Sequence, residues 1–163
     1  MNVLFLDHYG IMCLSNKEII REKTSLPTYS ELKGHNKFED FDKDAVKILN
    51  RILEETNSEI VISSDWRFGV SLDYMGDFYI KQGVIKRPIG FTPIIRFNGL
   101  SIQENRKLEI LNWLQNNEVE NWVVVDDLYI DVTNLAWAKY PNKGIKENNI
   151  VNIIYDHLKC QHI

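Results

Sequence analysis

The chain has 163 residues, 44% hydrophobic and 26% charged, with 19 Lys+Arg against 23 Asp+Glu and a formal net charge of −4. That length suits one domain of ~100–200 residues, and the composition excludes a largely disordered chain. The acidic balance excludes wrapping of nucleic acid through overall charge, but leaves room for a small phosphorylated ligand held by a few local cations.

The first apolar run, Val3-Leu4-Phe5-Leu6, ends at Asp7. It is too short for a signal peptide or a membrane span, and no later run approaches ~18 apolar residues. Cys13 and Cys160 are too few for a disulfide scaffold and form no C-x-x-C pair. A soluble, cytoplasmic protein with no membrane partner is the expectation. Residues 13–40 are polar and mixed, with Pro27 and Gly34, and read as an irregular insertion able to form a cap. Asp40 to Asp44 begins like a calcium loop, but Ala45 and Arg51 stand where such a loop needs Gly and Glu, so calcium binding is rejected.

From Ala45 to Thr56, Val46, Leu49, Ile52 and Leu53 share a helical face, with Asp42 or Asp44 as the N-cap. A second apolar run, Ile60-Val61-Ile62, ends in Ser63-Ser64. Tyr74, Phe78 and Tyr79, flanked by Lys81, Lys86 and Arg87, read as a packed subdomain with a solvated rim. Residues 76–101 carry Gly76, Gly83, Pro88, Gly90, Pro93 and Gly99, turn chemistry that suits a second cap or lid. Glu104 to Asn117 is expected to be helical, with Leu108, Leu111 and Leu114 at three-residue intervals beside Ile110 and Trp113. Trp122-Val123-Val124-Val125 then ends in Asp126-Asp127, followed by Trp137, Lys139 and Lys143 as a rim of undetermined direction. Asn148 to Lys159 closes the series with Ile150, Ile153, Ile154 and Leu158. Continuous β-branched runs suit strands buried on both faces, and their alternation with helices implies one α/β domain over residues 1–163.

In an open α/β sheet, ligands bind beyond the carboxyl ends of the strands. All three runs end there in reactive groups: Asp7, Ser63-Ser64 and Asp126-Asp127. Carboxylates converging from two strands repel one another, and a hard cation such as Mg²⁺ relieves that repulsion. A hydroxyl from the third strand end can orient a phosphoryl oxygen.

Leu6-Asp7-His8-Tyr9-Gly10-Ile11-Met12 resembles motif I of the haloacid dehalogenase-like (HAD) hydrolase superfamily. Ile60 to Arg67, with Ser63-Ser64-Asp65-Trp66-Arg67, resembles the Ser-Ser-x-Trp-Arg version of motif II. That version occurs in a small-domain branch that includes domains associated with RNA repair proteins. Thr92-Pro93, Arg106-x-x-Glu109-Ile110-x-x-Trp113-Leu114, Val123 to Asp127 and Gly144-Ile145 continue the branch's order.

The resemblance implies a Rossmann-like three-layer sandwich with a mostly parallel sheet and a small cap, carrying Mg²⁺-dependent phosphoryl transfer. It implies Asp7 as nucleophile, Asp127 as direct metal ligand and Asp126 beside or sharing the metal, with the Tyr9 main-chain carbonyl as a further ligand. Ser63 or Ser64, with Ser64 preferred, would hold a phosphoryl oxygen, and Arg106 or Lys107 would neutralise it. His8 and Arg67 are candidates for substrate contact, set against plainer readings in which His8 is structural and Arg67 pairs with an acid.

One position departs from the pattern. The phosphatases of the superfamily carry a second Asp two residues after the nucleophile, as acid and base, and here Tyr9 takes its place. The resulting expectation is an impaired phosphatase or phosphotransferase acting on a small phosphorylated substrate, nucleotides included. The competing reading is an inactive HAD-fold module that binds a phosphorylated ligand or a protein partner. The Asp-x-Tyr-Gly spelling also resembles the dehalogenases, ranked last because Asp126-Asp127 favours a metal.

Overall fold

The computed structural model describes residues 1–14 and 38–159. Its strands are β1 (Asn2–Leu6), β2 (Ser58–Ile62), β3 (Gly90–Phe91), β4 (Asn121–Asp126) and β5 (Leu135–Trp137). Its helices are α1 (Lys43–Thr56), α2 (Leu72–Lys81), α3 (Ile102–Gln115) and α4 (Asn148–Leu158). The sheet is parallel throughout, in the order β3-β2-β1-β4-β5. The chain therefore steps outward from β1 through β2 to β3, then returns to the other side of β1 for β4. The reversal falls between β1 and β4, where open α/β sheets place their ligands.

Strand alternation builds the three layers. Leu4, Leu6, Ile60, Ile62, Val123 and Val125 face one core with Leu49, Ile52 and Leu53 of α1, Met75 and Tyr79 of α2, and Ile150 and Ile154 of α4. Val3, Phe5, Val61 and Val124 face the other, against Ile110, Trp113 and Leu114 of α3. Sequence periodicity anticipates α1, α3 and α4 to within a turn. Asp42, rather than Asp44, caps α1, accepting from Asp44 N at 3.0 Å and Ala45 N at 2.9 Å.

The inner face of α3 differs from expectation. Leu108, Leu111 and Leu114 are only half-buried, whereas Asn105, Arg106, Glu109 and Ile110 are buried. Helix orientation here follows an ionic network rather than the leucine stripe. A capping box between Ser101 and Glu104 starts this helix without help from apolar contacts.

Residues 76–101, read as a second cap, contain the last turns of α2, the edge strand β3 and the lead into α3. The insertion read over residues 13–40 lies mostly outside the described residues, as does Cys160. Cys13 is buried, and its Sγ donates to the Glu39 carbonyl at 3.6 Å. Among the described residues no helix is long and apolar enough to cross a membrane.

Candidate active site

Parallel register puts three strand ends in one row. Leu6 aligns with Ile62 and with Val125, so Asp7 follows level with Ser63 and Asp126. The ladder continues into that row: Asp7 N donates to Val125 O at 3.1 Å, and Ser63 N to Leu6 O at 3.2 Å. Asp127 joins from the next position, and Asp7, Asp126 and Asp127 each bring a carboxylate oxygen within 4.8 Å of the others. Gly10 is part of this arrangement. Its φ is +74°, and a Cβ there would sit 3.0 Å from Asp127 Oδ2, so the bare backbone lets the loop after β1 close against that carboxylate.

Arg106 supplies the opposing charge. Its Nη1 donates to Asp126 Oδ2 at 2.9 Å and lies 4.0 Å from Asp7 Oδ1, while Nη2 donates to Asp65 Oδ1 at 3.1 Å. Burial disfavours its charge, but Asp126, Asp7, Asp65 and Glu109 outweigh that and raise the pKa further. Lys107 points elsewhere, to exposed Asp131 at 3.3 Å. Of the two cations expected at this position, α3 turns Arg106 inward and Lys107 outward.

Like charge and burial still act on the cluster beside Arg106. The Asp126 carboxyl is held well above its usual range by burial and by the charge of Asp7, with Asp127 adding to the effect, despite the contact with Arg106. An all-oxygen donor set of three carboxylates fits a hard divalent cation such as Mg²⁺. Both Asp126 oxygens already have partners, Oδ1 with Leu128 N at 2.9 Å and Oδ2 with Arg106.

The two serines differ. Ser64 Oγ caps the short 3₁₀ turn Asp65–Arg67, accepting from Trp66 N at 3.2 Å. Ser63 Oγ is buried and has no hydrogen-bond partner among the described residues. An orphaned hydroxyl in the row of Asp7 and Asp126 has a donor left for a ligand.

Arg67 is committed elsewhere. It donates to the main-chain carbonyls of Thr92 (3.0 Å), Ser63 (3.1 Å) and Ser64 (2.9 Å), and to Glu109 Oε2 at 2.7 Å. It therefore clamps the end of β2 to the exit of β3 and to α3, instead of facing a substrate. Glu109 and Asp65, which fix the two arginines, lacked any signal beyond the spacing i, i+3 from Arg106 and a place inside the serine motif.

His8 is fully buried, with Nε2 2.6 Å from the Tyr79 hydroxyl and its ring 4.5 Å from that of Trp66. Tyr9 sets its ring edge-on to Trp66 at 5.1 Å. Burial pushes the His8 pKa down to about 3, with Asp7 opposing and Arg106 adding to the fall. Because the unfolded chain then binds the extra proton, stability falls as pH drops below the unfolded value of 6.5. At pH 5 the loss from this residue amounts to about 2 kcal/mol relative to neutral pH. Denaturant melts at pH 7 and pH 5 check this: the native chain should lose about that much more than His8→Asn. The Asp126 contribution is common to both proteins and cancels. Equal losses would show that His8 is solvated.

A family model described as the HAD domain in Swiss Army Knife RNA repair proteins matches residues 3–150. No curated protein and no solved structure matches the chain. The family match takes in all five strands and reaches the first turn of α4, and the chain belongs to this family of HAD domains, whose chemistry is of the phosphohydrolase and phosphotransferase type.

Proposed function

We propose that the protein is a Mg²⁺-dependent phosphatase or phosphotransferase working through an aspartyl-phosphate at Asp7. The observation that carries this is the meeting of Asp7, Asp126 and Asp127 within 4.8 Å, with Arg106 against two of them. Asp7, Asp127 and the Tyr9 carbonyl would hold the ion, with Asp126 beside it. Bound there, the ion supplies charge neutralisation for a phosphoryl dianion approaching a carboxylate.

The chain's own groups divide the remaining work. Asp7 attacks phosphorus as the bond to the leaving oxygen breaks, and water then cleaves the acyl phosphate. Arg106 balances the transferring group, and Ser63 donates to one of its oxygens. No carboxylic acid two residues on from Asp7 protonates the leaving oxygen, since Tyr9 stands there. A phenol of ordinary pKa ~10 is a poor proton shuttle near neutrality. Substrates whose leaving groups need no proton, aryl and acyl phosphates, are therefore favoured. The family's setting in RNA repair proteins supports phosphate esters of nucleotides or nucleic-acid ends within that class. A reducing compartment such as the cytoplasm suits a chain whose two cysteines form no C-x-x-C pair.

Tyr9 also favours a second reading, a module that binds a phosphorylated ligand without turnover. Aryl phosphate hydrolysis, with Asp7→Asn as the blank, separates the two. Native turnover above the blank is expected, together with calorimetric Mg²⁺ binding that Asp127→Ala abolishes. Turnover equal to the blank leaves the binding module. Mg²⁺ binding unchanged by Asp127→Ala removes the metal site.

A further inference from the structure

Two stretches combine aromatic and basic residues, and the fold treats them differently. On the α2 side, Tyr79 is fully buried, Lys86 pairs with Glu59 at 3.1 Å and Arg87 pairs with Asp77. Of the three basic residues there, only Lys81 has no carboxylate partner among the described residues.

The stretch after β4 lies at the acidic end of the sheet. Trp137 is aligned with Asp126 across β4 and β5, and its indole Nε1 donates to the Asp127 main-chain oxygen at 3.2 Å. Tyr129 stands edge-on to Trp137 at 5.1 Å and is 57% exposed, and Tyr140 is 52% exposed. Lys139 Nζ lies 4.8 Å from the Trp137 ring centre, and Lys143 Nζ lies 5.5 Å from that of Tyr140. Both lysines are exposed, and among the described residues neither pairs with a carboxylate. Lys47, Lys86, Lys107, Lys146 and Lys159 each have an acidic partner, whereas Lys43 and Lys81, like Lys139 and Lys143, have none among the described residues. Exposed rings with unpaired ammonium groups are the elements of single-stranded nucleic-acid recognition: a face for a base and a charge for the next phosphate.

We propose that Tyr129, Trp137, Lys139, Tyr140 and Lys143 form a stacking platform for the nucleobase adjoining the phosphate held at Asp7. The inference rests on the phosphoryl site proposed above and adds where the rest of the ligand lies. The chain's net charge of −4 limits the platform to a nucleotide or the end of a strand, since a long duplex would be repelled.

Calorimetry on the full chain with Mg²⁺, in an Asp7→Asn background so that ligands survive, uses three probes. They are inorganic phosphate, a nucleoside monophosphate and a single-stranded RNA trinucleotide with a terminal phosphate. The readout is the affinity of each nucleotide probe relative to inorganic phosphate. Both nucleotide probes are expected to bind at least tenfold tighter than phosphate. Tyr129→Ala and Tyr140→Ala should each cut that advantage on the order of tenfold. Lys139→Gln and Lys143→Gln should each lower the salt dependence of trinucleotide binding by about one phosphate contact. Tyr74→Ala, an exposed aromatic on α2 (44% exposed), should keep the native ratio. A trinucleotide that binds tighter than the mononucleotide identifies a strand end as the ligand, and equal affinities identify a free nucleotide. Phosphate binding with no nucleotide advantage overturns the platform and leaves the phosphoryl site standing. So does an advantage that survives all four platform substitutions. Failure to bind any probe overturns both.

Discussion

Arg106→Met is expected to cost about 3–5 kcal/mol of folding stability, the penalty typical of stripping one partner from a buried ionic cluster. The side chain is 4% exposed and faces Asp126 (0%), Asp65 (8%) and Asp7 (11%), with Glu109 Oε2 3.8 Å from its Nε. Without it, Asp126 loses its ion-pair partner and the neighbouring carboxylates repel one another more strongly. Arg106→Lys should recover only part of the loss, because a point charge cannot span Asp126 and Asp65 as the planar fork does. Lys107→Met is the neighbouring control. Its partner Asp131 is 89% exposed, so a change within ~0.5 kcal/mol is expected. Added Mg²⁺ should stabilise Arg106→Met more than the native chain, since the ion then meets less competing charge. Denaturant melts of the two variants within 1 kcal/mol of each other would mean that the carboxylates are solvated and that Arg106 does not hold the site together.

Tyr9→Asp is expected to raise hydrolysis of alkyl phosphates by ~10²–10⁴-fold, the usual contribution of general acid–base catalysis. Alkoxide leaving groups need a proton, which a carboxylic acid supplies near neutrality more readily than a phenol. Aryl phosphates should gain much less. The same substitution removes an aromatic pair and should cost about 0.5–1.5 kcal/mol of stability beyond the lost buried area. Rates for both substrate types on both proteins, with Asp7→Asn as the blank, give the test. An equal gain on aryl and alkyl substrates would point to a wider site rather than a restored acid.

How much of this was legible beforehand follows from the length of each signal. β1, β2 and β4 contain short continuous apolar runs, the pattern of strands buried on both faces. β3, with two residues, and β5, with three, carry no periodicity to detect. They exist because longer neighbours offer them a ladder. α2 was hidden by Gly76, which reads as a turn residue. Here it is a buried helical position where a Cβ would lie 2.6 Å from Arg87 Nη1. In the site, strand ends pointed to Asp7 and the Asp126-Asp127 pair, but adjacent candidates were separable only by direction. Ser63 differs from Ser64, and Arg106 from Lys107, by which way one residue faces. That depends on the pleat of β2 continuing by one hydrogen bond and on the rotation of α3 toward its acidic partners.

Gly144 ties remote parts of the chain together. Its φ is +52°, a Cβ there would lie 2.5 Å from the Ile11 carbonyl and 2.7 Å from that of Gly10, and Ile145 N donates to Ile11 O at 3.2 Å. The loop that follows Asp7 is therefore braced by a segment more than a hundred residues downstream. On a ribosome releasing ~5–20 residues per second from the amino end, Asp7 emerges first but waits several seconds for Asp126, Asp127 and then Gly144. During that interval the β1 run has no partner on its β4 side, and its exposed edge is open to pairing with other chains. Expression at lower temperature, which weakens apolar association of the waiting edge, should raise the soluble yield.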